Sequence, residues 1–122
     1  VKGICSIAGA LPDSNMIHEG KTVPTIFFQG AEDETIPVDA GRYLMCPNYN
    51  ELFGTLCLYR RLVTNNTVAI AHILPGSGHE NTATSGYNDE FTMSNTACFF
   101  HSIMQGKTLT SKIYQGMEES CR

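Results

Sequence analysis

The chain has 122 residues, 42% of them hydrophobic, and a formal net charge of −4 at pH 7. This length predicts one domain, residues 1–122, because a chain of this size buries roughly two thirds of the surface that it exposes when unfolded. The 8 lysines and arginines provide no basic surface for nucleic acid, and no apolar run approaches the ~20 residues that span a bilayer. We therefore expect a globular domain, without a membrane span, whose partner is a small molecule.

The N-terminal third of the chain contains two predicted strands. Residues 1–7 form an apolar, partly β-branched run that ends at the turn residues 8–13. The chain has no initiator Met, so we expect a further segment before Val1. Residues 24–30 form a continuous hydrophobic run, which is typical of a strand covered on both faces in a parallel sheet.

The remaining elements alternate between predicted helices and strands. Residues 37–41 suggest a turn that leads into a short helix through about Met45. Residues 49–63 have the pattern of an amphipathic helix with apolar side chains at three- and four-residue spacing. Residues 67–74 form a third apolar strand, and residues 89–105 a closing helix. The tail, residues 107–122, shows no clear preference.

This alternation predicts an α/β fold. Helices would flank a parallel sheet in three layers, joined by right-handed crossovers. Three strands make a thin sheet, and one edge of it stays open. We expect that edge to be covered by an N-terminal part of the fold or by a second copy of the chain.

Two polar side chains directly follow two of the predicted strands. Asp33 comes just after the strand that ends at Gln29, and His79 just after the strand that ends near Leu74. Because ligands bind at the carboxyl ends of parallel strands, neighbouring strands would bring both side chains to one rim of the sheet. The carboxylate can then accept the Nδ1 proton of the imidazole, while Nε2 takes a proton from a nucleophile.

The segments that carry these two residues match a known pattern. Residues 30–37, GAEDETIP, resemble the G-x-x-D-x-x-(V/I)-P segment of the α/β-hydrolases, and residues 75–80, PGSGHE, resemble their G-x-G-H loop. The acid precedes the histidine, as in the family's chain order Ser-Asp-His, and the resemblance extends over nearly the whole chain. It implies that Asp33 is the acid of a catalytic triad and that His79 is the general base.

The nucleophile of that family is missing from the sequence. The G-x-S-x-G segment, which places the serine on a turn from strand to helix, does not occur, and the nearest approach, residues 3–7, is GICSI. Cys5, Ser6 and Ser77 are therefore poor candidates for the nucleophile. The resemblance implies that the serine and the oxyanion-hole amides lie upstream of Val1, and that the chain alone is inactive.

These features predict one main function and two alternatives. The main interpretation is the C-terminal part of a serine hydrolase of the carboxylesterase or lipase kind, which acts on a small-molecule ester through Asp33 and His79 without a cofactor. A peptidase of the same fold would have the same dyad, because loops outside these residues build the substrate pockets. The other alternative is a non-catalytic α/β binding module, a degenerate hydrolase that docks a partner along its open sheet edge.

The other polar and cysteine residues have structural interpretations. The cysteines show no C-x-x-C spacing, which disfavours a zinc site. Cys46 and Cys121 lie in loop-like surroundings and are the candidates for a disulfide in an oxidising, extracytoplasmic compartment. Core positions are expected for Cys5, Cys57 and Cys98, solvated loop positions for Glu32, Glu34 and Asp39, and structural roles for His18, His72 and His101.

Overall fold

The structure is a computed structural model, which describes residues 1–79 and 89–121. Two helices and six strands lie within these residues, together with single 3-10 turns at Ser14–Met16 and Tyr43–Met45. The elements are β1 (Ile4–Ile7), β2 (Thr25–Gly30), β3 (Ala40–Arg42), β4 (Glu51–Phe53), α1 (Thr55–Thr64), β5 (Ala69–Leu74), α2 (Asp89–Met104) and β6 (Lys112–Gln115).

Four of the strands form one parallel sheet in the order β1-β2-β5-β6. The two central strands, β2 and β5, are buried along nearly their whole length, which explains their continuous apolar sequences. The predicted α/β class with a parallel sheet is confirmed. The sheet has one strand more than the three predicted, because β6, in the tail that showed no preference, pairs with β5.

The helices pack on opposite faces of this sheet. Successive residues of a strand point to opposite sides, so Phe27 joins a buried cluster with Leu58 and Leu62 of α1, while Phe28 joins a cluster with Phe99 of α2. Burying side chains of this size stabilises the fold by about 1.5–3 kcal/mol each, and the two clusters hold the helices in place. Neither α1 nor α2 is long and apolar enough to cross a membrane.

The predicted short helix that follows residues 37–41 and runs through about Met45 is wrong. β3 and β4 form an antiparallel hairpin there, and the link between them contains the single turn Tyr43–Met45. Leu44 and Met45 have φ angles of 52° and 55°, left-handed values that cannot continue a right-handed helix. The amide of Leu44 donates instead to the carbonyl of Thr35, at 2.9 Å.

The predicted helix over residues 49–63 is confirmed only from Thr55 onward. Its first part is β4, whose apolar residues fit helical spacing but pair with β3. The helix begins directly after Gly54, which is its N-cap. A Cβ atom at Gly54 would lie 1.8 Å from the carbonyl oxygen of Pro37, so the close approach of these two backbones requires a glycine at the start of α1.

The disulfide expected from the sequence is also wrong. Cys121 bonds to Cys98 of α2, whereas Cys46 is a free, partly buried cysteine. The tail after β6 lies against α2 and brings the Cα atoms of the bonded pair to 5.8 Å, a usual disulfide separation. Cys5 and Cys57 are free and partly buried, whereas the expectation of a free core cysteine is wrong for Cys98.

Candidate acid–base site

Asp33 lies in the loop after β2, and its backbone surroundings fix one carboxylate oxygen. Its side chain is fully buried. Oδ1 accepts hydrogen bonds from the backbone amides of Thr35 and Ile36, both at 2.9 Å. An Asp side chain that bonds amides two and three residues ahead stabilises a turn, which explains why the segment after the strand folds back over the carboxylate.

The other carboxylate oxygen of Asp33 faces two side chains. Oδ2 accepts a hydrogen bond from Nε2 of Gln29 at 3.1 Å and lies 3.0 Å from Nδ1 of His79. Burial by itself raises the pKa of Asp33, but the hydrogen bonds from His79, Ile36, Gln29 and Thr35 outweigh it and lower that pKa below its ordinary value. The carboxylate therefore stays ionised while it is out of contact with water.

His79 reaches the carboxylate because its loop passes directly over the end of β2. Gly30 and Leu74 are partners in the β2–β5 pairing, and the carbonyl of Ser77 accepts the amide of Glu32 at 2.9 Å. A Cβ atom at Gly30 would lie 2.2 Å from the carbonyl oxygen of Gly78. A glycine at this position thus lets the acid loop and the histidine loop lie in contact.

The imidazole of His79 is half exposed, with 46% of its side chain accessible. Its Nδ1 faces Asp33, and its Nε2 has no hydrogen-bond partner in the part of the chain that the structure describes. A buried carboxylate at Nδ1 fixes the ring orientation and stabilises the imidazolium form. With Nδ1 held by the carboxylate, Nε2 is the ring nitrogen left to accept a proton from a hydroxyl group.

The structure does not bring a nucleophile to His79 within residues 1–79 and 89–121. Ser77 is fully buried, although the sequence places it between two glycines beside His79. Cys5 lies on β1, and its sulfur is 3.5 Å from Oγ1 of Thr96. Ser6 lines a cavity of about 250 Å³ beside α1, and neither Asp33 nor His79 is among the described residues that line it.

Among the described residues, none of the other ionisable residues considered in the sequence analysis is a hydrogen-bond partner of Asp33. Glu32 and Glu34 are exposed, and Asp39 pairs with Arg60. His72 is fully buried within β5, and His101 is exposed on α2. Among the described residues, no group of three or more His, Cys, Asp or Glu side chains is arranged to hold a metal ion.

Gln29 is the residue of this site that sequence analysis missed. Its side chain is fully buried, and Nε2 donates to the carbonyl of Ile36 at 2.9 Å as well as to Asp33. The sequence feature that could have indicated this role is an amide near the end of an otherwise apolar strand. A polar side chain in such a buried position needs a hydrogen-bond partner. Gln29 joins the strand to the acid loop.

A cavity of about 430 Å³ adjoins Asp33 and is bordered by β3. Asp33, Glu34 and Met45 all contribute to its lining. Its volume falls within the ~300–1,000 Å³ of small-molecule sites. Among the described residues, those that line it are Asp33, Glu34, Pro37, Ala40, Gly41, Arg42 and Met45.

No protein-family model, curated protein or solved structure matches this chain. The functional interpretation consequently depends on the geometry around Asp33 and His79 and on the two motifs that carry them.

Proposed function

We propose that this chain carries the acid and the general base of a serine hydrolase that acts on ester bonds, and that it forms the C-terminal part of an α/β-hydrolase fold. One observation supports the proposal above all. The ionised, buried carboxylate of Asp33 lies 3.0 Å from Nδ1 of a half-exposed His79, at the carboxyl ends of neighbouring parallel strands. Both residues stand in motifs that resemble those of the family, in the family's order.

In this proposal the dyad moves one proton in each direction. Nε2 of His79 accepts the proton of a serine hydroxyl while the serine oxygen attacks the ester carbonyl carbon. The resulting imidazolium is stabilised by Asp33 and then donates the proton to the leaving alcohol oxygen, which gives an acyl-enzyme. A water molecule, deprotonated by the same Nε2, releases the acid and restores the serine.

The nucleophile in this proposal is a serine on a strand that precedes β1 and pairs with it. β1 pairs with β2 on one side and with no strand of the described residues on the other, and its sequence carries no charge or proline that would protect an edge. The opposite edge strand, β6, begins with Lys112, which pairs with Glu118. A parallel strand beside β1 would end at the same rim of the sheet as Asp33 and His79.

A second candidate function is a binding module without catalysis. The observation that favours it is that the structure brings no serine or cysteine of the described residues into contact with His79. A peptidase is distinguished from an esterase only by substrate, because the same dyad serves both reactions.

The proposal is tested by ester hydrolysis in the complete protein as it is encoded. Asp33→Asn and His79→Ala are expected to lower kcat for p-nitrophenyl butyrate by about 10³–10⁴-fold, since either change removes the oriented base. Glu32→Gln, which neutralises an exposed carboxylate of the same loop, is the matched control and should stay within about twofold.

Circular dichroism of each variant shows whether the fold is retained. Activity that persists in a folded His79→Ala variant would contradict the assigned base. Absence of turnover in the parent protein with all esters and amides tested would favour the binding module.

A further inference from the structure

The loop between β3 and β4 exposes four large hydrophobic side chains within seven residues. The accessible fractions are 38% for Tyr43, 54% for Leu44, 71% for Met45 and 51% for Tyr49. We call these four residues the hairpin platform. Clustered exposed apolar side chains of this kind mark binding surfaces.

The backbone holds the hairpin platform in an unfavourable conformation. Leu44 and Met45 are consecutive residues with left-handed φ angles, and neither is a glycine or asparagine, the residues that tolerate that region. Nη1 of Arg42 donates to the carbonyls of Pro47 and Tyr49, at 2.9 and 2.6 Å, and closes the loop. Strain of this kind persists where the surrounding structure imposes it, and such positions cluster at binding sites.

A short series of hydrogen bonds connects the hairpin platform to the candidate acid. The amide of Leu44 donates to the carbonyl of Thr35 at 2.9 Å, and the amide of Thr35 donates to Oδ1 of Asp33 at 2.9 Å. Asp33 and Met45 both line the cavity of about 430 Å³, and Met45 is the residue of the hairpin platform named in that lining. A ligand in this cavity would lie beside Asp33 and Met45.

The side chains of the hairpin platform favour an aromatic group. The rings of Tyr43 and Tyr49 form an edge-to-face pair with centroids 5.4 Å apart and an interplanar angle of 83°. Each ring therefore holds the other in a defined orientation, and a third aromatic ring can pack against the pair. Met45 adds a polarisable thioether, which contacts aromatic rings favourably. The hydroxyl and thioether groups carry no charge, so nothing on the hairpin platform selects an ionic group.

We propose that the hairpin platform and its cavity bind an aromatic ring of the ester substrate. This inference rests on the proposed function in taking the ring to belong to an ester that the dyad hydrolyses. The binding itself does not require catalysis, and the two claims are therefore separable by experiment.

The kinetic test compares two esters with the same carbon skeleton in the complete protein. Methyl phenylacetate is expected to have a kcat/KM about tenfold above that of methyl cyclohexylacetate, because only the first has an aromatic ring. Replacing both tyrosines, Tyr43→Leu with Tyr49→Leu, keeps apolar area but removes the rings and should abolish this preference. The double Phe variant keeps the rings and should retain it.

The binding test uses His79→Ala, in which the dyad is disabled. Saturation-transfer NMR with methyl phenylacetate should show ring-proton contact in His79→Ala and a loss of that contact when the two Leu substitutions are added. Ring contact without turnover in the parent protein or any variant would contradict the proposed function but support the aromatic site. Turnover with equal kcat/KM for the two esters, or ring contact that survives both Leu substitutions, would overturn the aromatic site.

Discussion

At the scale of single residues, Gln29 helps to fix the position of the buried Asp33 carboxylate beside His79. Its Nε2 donates to both Asp33 and the carbonyl of Ile36, while its Oε1 is buried and has no hydrogen-bond partner among the described residues. A buried acceptor without a partner costs about 1–3 kcal/mol. An apolar side chain would avoid that cost, so the amide at this position indicates a role in positioning the acid.

Replacing Gln29 with leucine should change the pKa of Asp33. The substitution removes one of the donors that lower this pKa, so the carboxyl is expected to titrate at higher pH, and kcat for ester hydrolysis in the complete protein should fall by about tenfold. Carbon-13 NMR of the Asp33 carboxyl reports the titration directly. An unchanged titration in a folded Gln29→Leu variant would show that Gln29 has only a packing role.

The pairing of Asp33 with His79 was predictable because it follows from topology. Two residues at the carboxyl ends of adjacent parallel strands must lie at one rim, and the motif around each residue identified the strands. Gln29 was not predictable in the same way, because the direction of an amide inside a buried strand depends on the loop that folds over it.

At the scale of elements, the hairpin is where the sequence pattern was misleading. Leu52 and Phe53 continue the apolar spacing of α1, and nothing in that spacing reveals that Glu51–Phe53 pairs with Ala40–Arg42. The turn between the two strands uses left-handed Leu44 and Met45 without a glycine to mark it. A pairing between distant residues decided the conformation, and local preference did not.

The tail is held to the sheet through a buried histidine. His72 stacks between the rings of Phe28 and Tyr114, at centroid distances of 4.9 and 5.1 Å, and its Nε2 lies 2.7 Å from Oγ of Ser120. Oδ1 of Asn95, on α2, accepts the amide of Ser120 at 3.0 Å. Together with the neighbouring disulfide, these contacts fix the chain after β6.

The burial of His72 makes the fold sensitive to acid. Burial lowers the pKa of His72 from 6.5 to about 4, so the unfolded chain binds a proton at this residue before the folded one does. The free energy of unfolding should therefore be unaffected by His72 above pH 6.5 and should decrease as the pH falls towards 4. Since one pKa unit corresponds to about 1.4 kcal/mol, the decrease approaches roughly 3 kcal/mol.

Urea unfolding of the complete protein at several pH values measures this dependence. His72→Gln should flatten the decrease, whereas His101→Gln, which removes an exposed histidine of α2, should leave it unchanged. An equally steep decrease in the folded His72→Gln variant would assign the acid sensitivity to other groups.

At the scale of the whole molecule, the two edges of the sheet differ in character. The exposed side chains of β1 include Ile4 and Ile7, with 42% and 54% accessible, whereas β6 presents Lys112. An open edge could be predicted from the small number of strands, but its location could not, because β6 lies in a tail whose sequence shows no strand pattern. The paired β6 leaves β1 as the uncharged edge.

A cavity of about 250 Å³ lies beside β1, the uncharged edge strand. It is lined by apolar side chains of β1, β2 and α1, among them Ile4, Phe27 and Leu58. In the proposed hydrolase, a helix that follows the nucleophile strand would cover this cavity, just as α1 covers the sheet next to it. The edge and the cavity together define the surface against which the nucleophile segment would pack.

Covalent labelling of the complete protein with a fluorophosphonate tests the central claim most directly, because such reagents react with a serine only when a general base activates it. Digestion and mass spectrometry should locate one phosphonyl adduct on a serine outside residues 1–122, and His79→Ala should abolish it. A protein that forms no serine adduct, or one whose adduct forms equally in the folded His79→Ala variant, would contradict the assignment of Asp33 and His79 as the acid and base of a serine hydrolase.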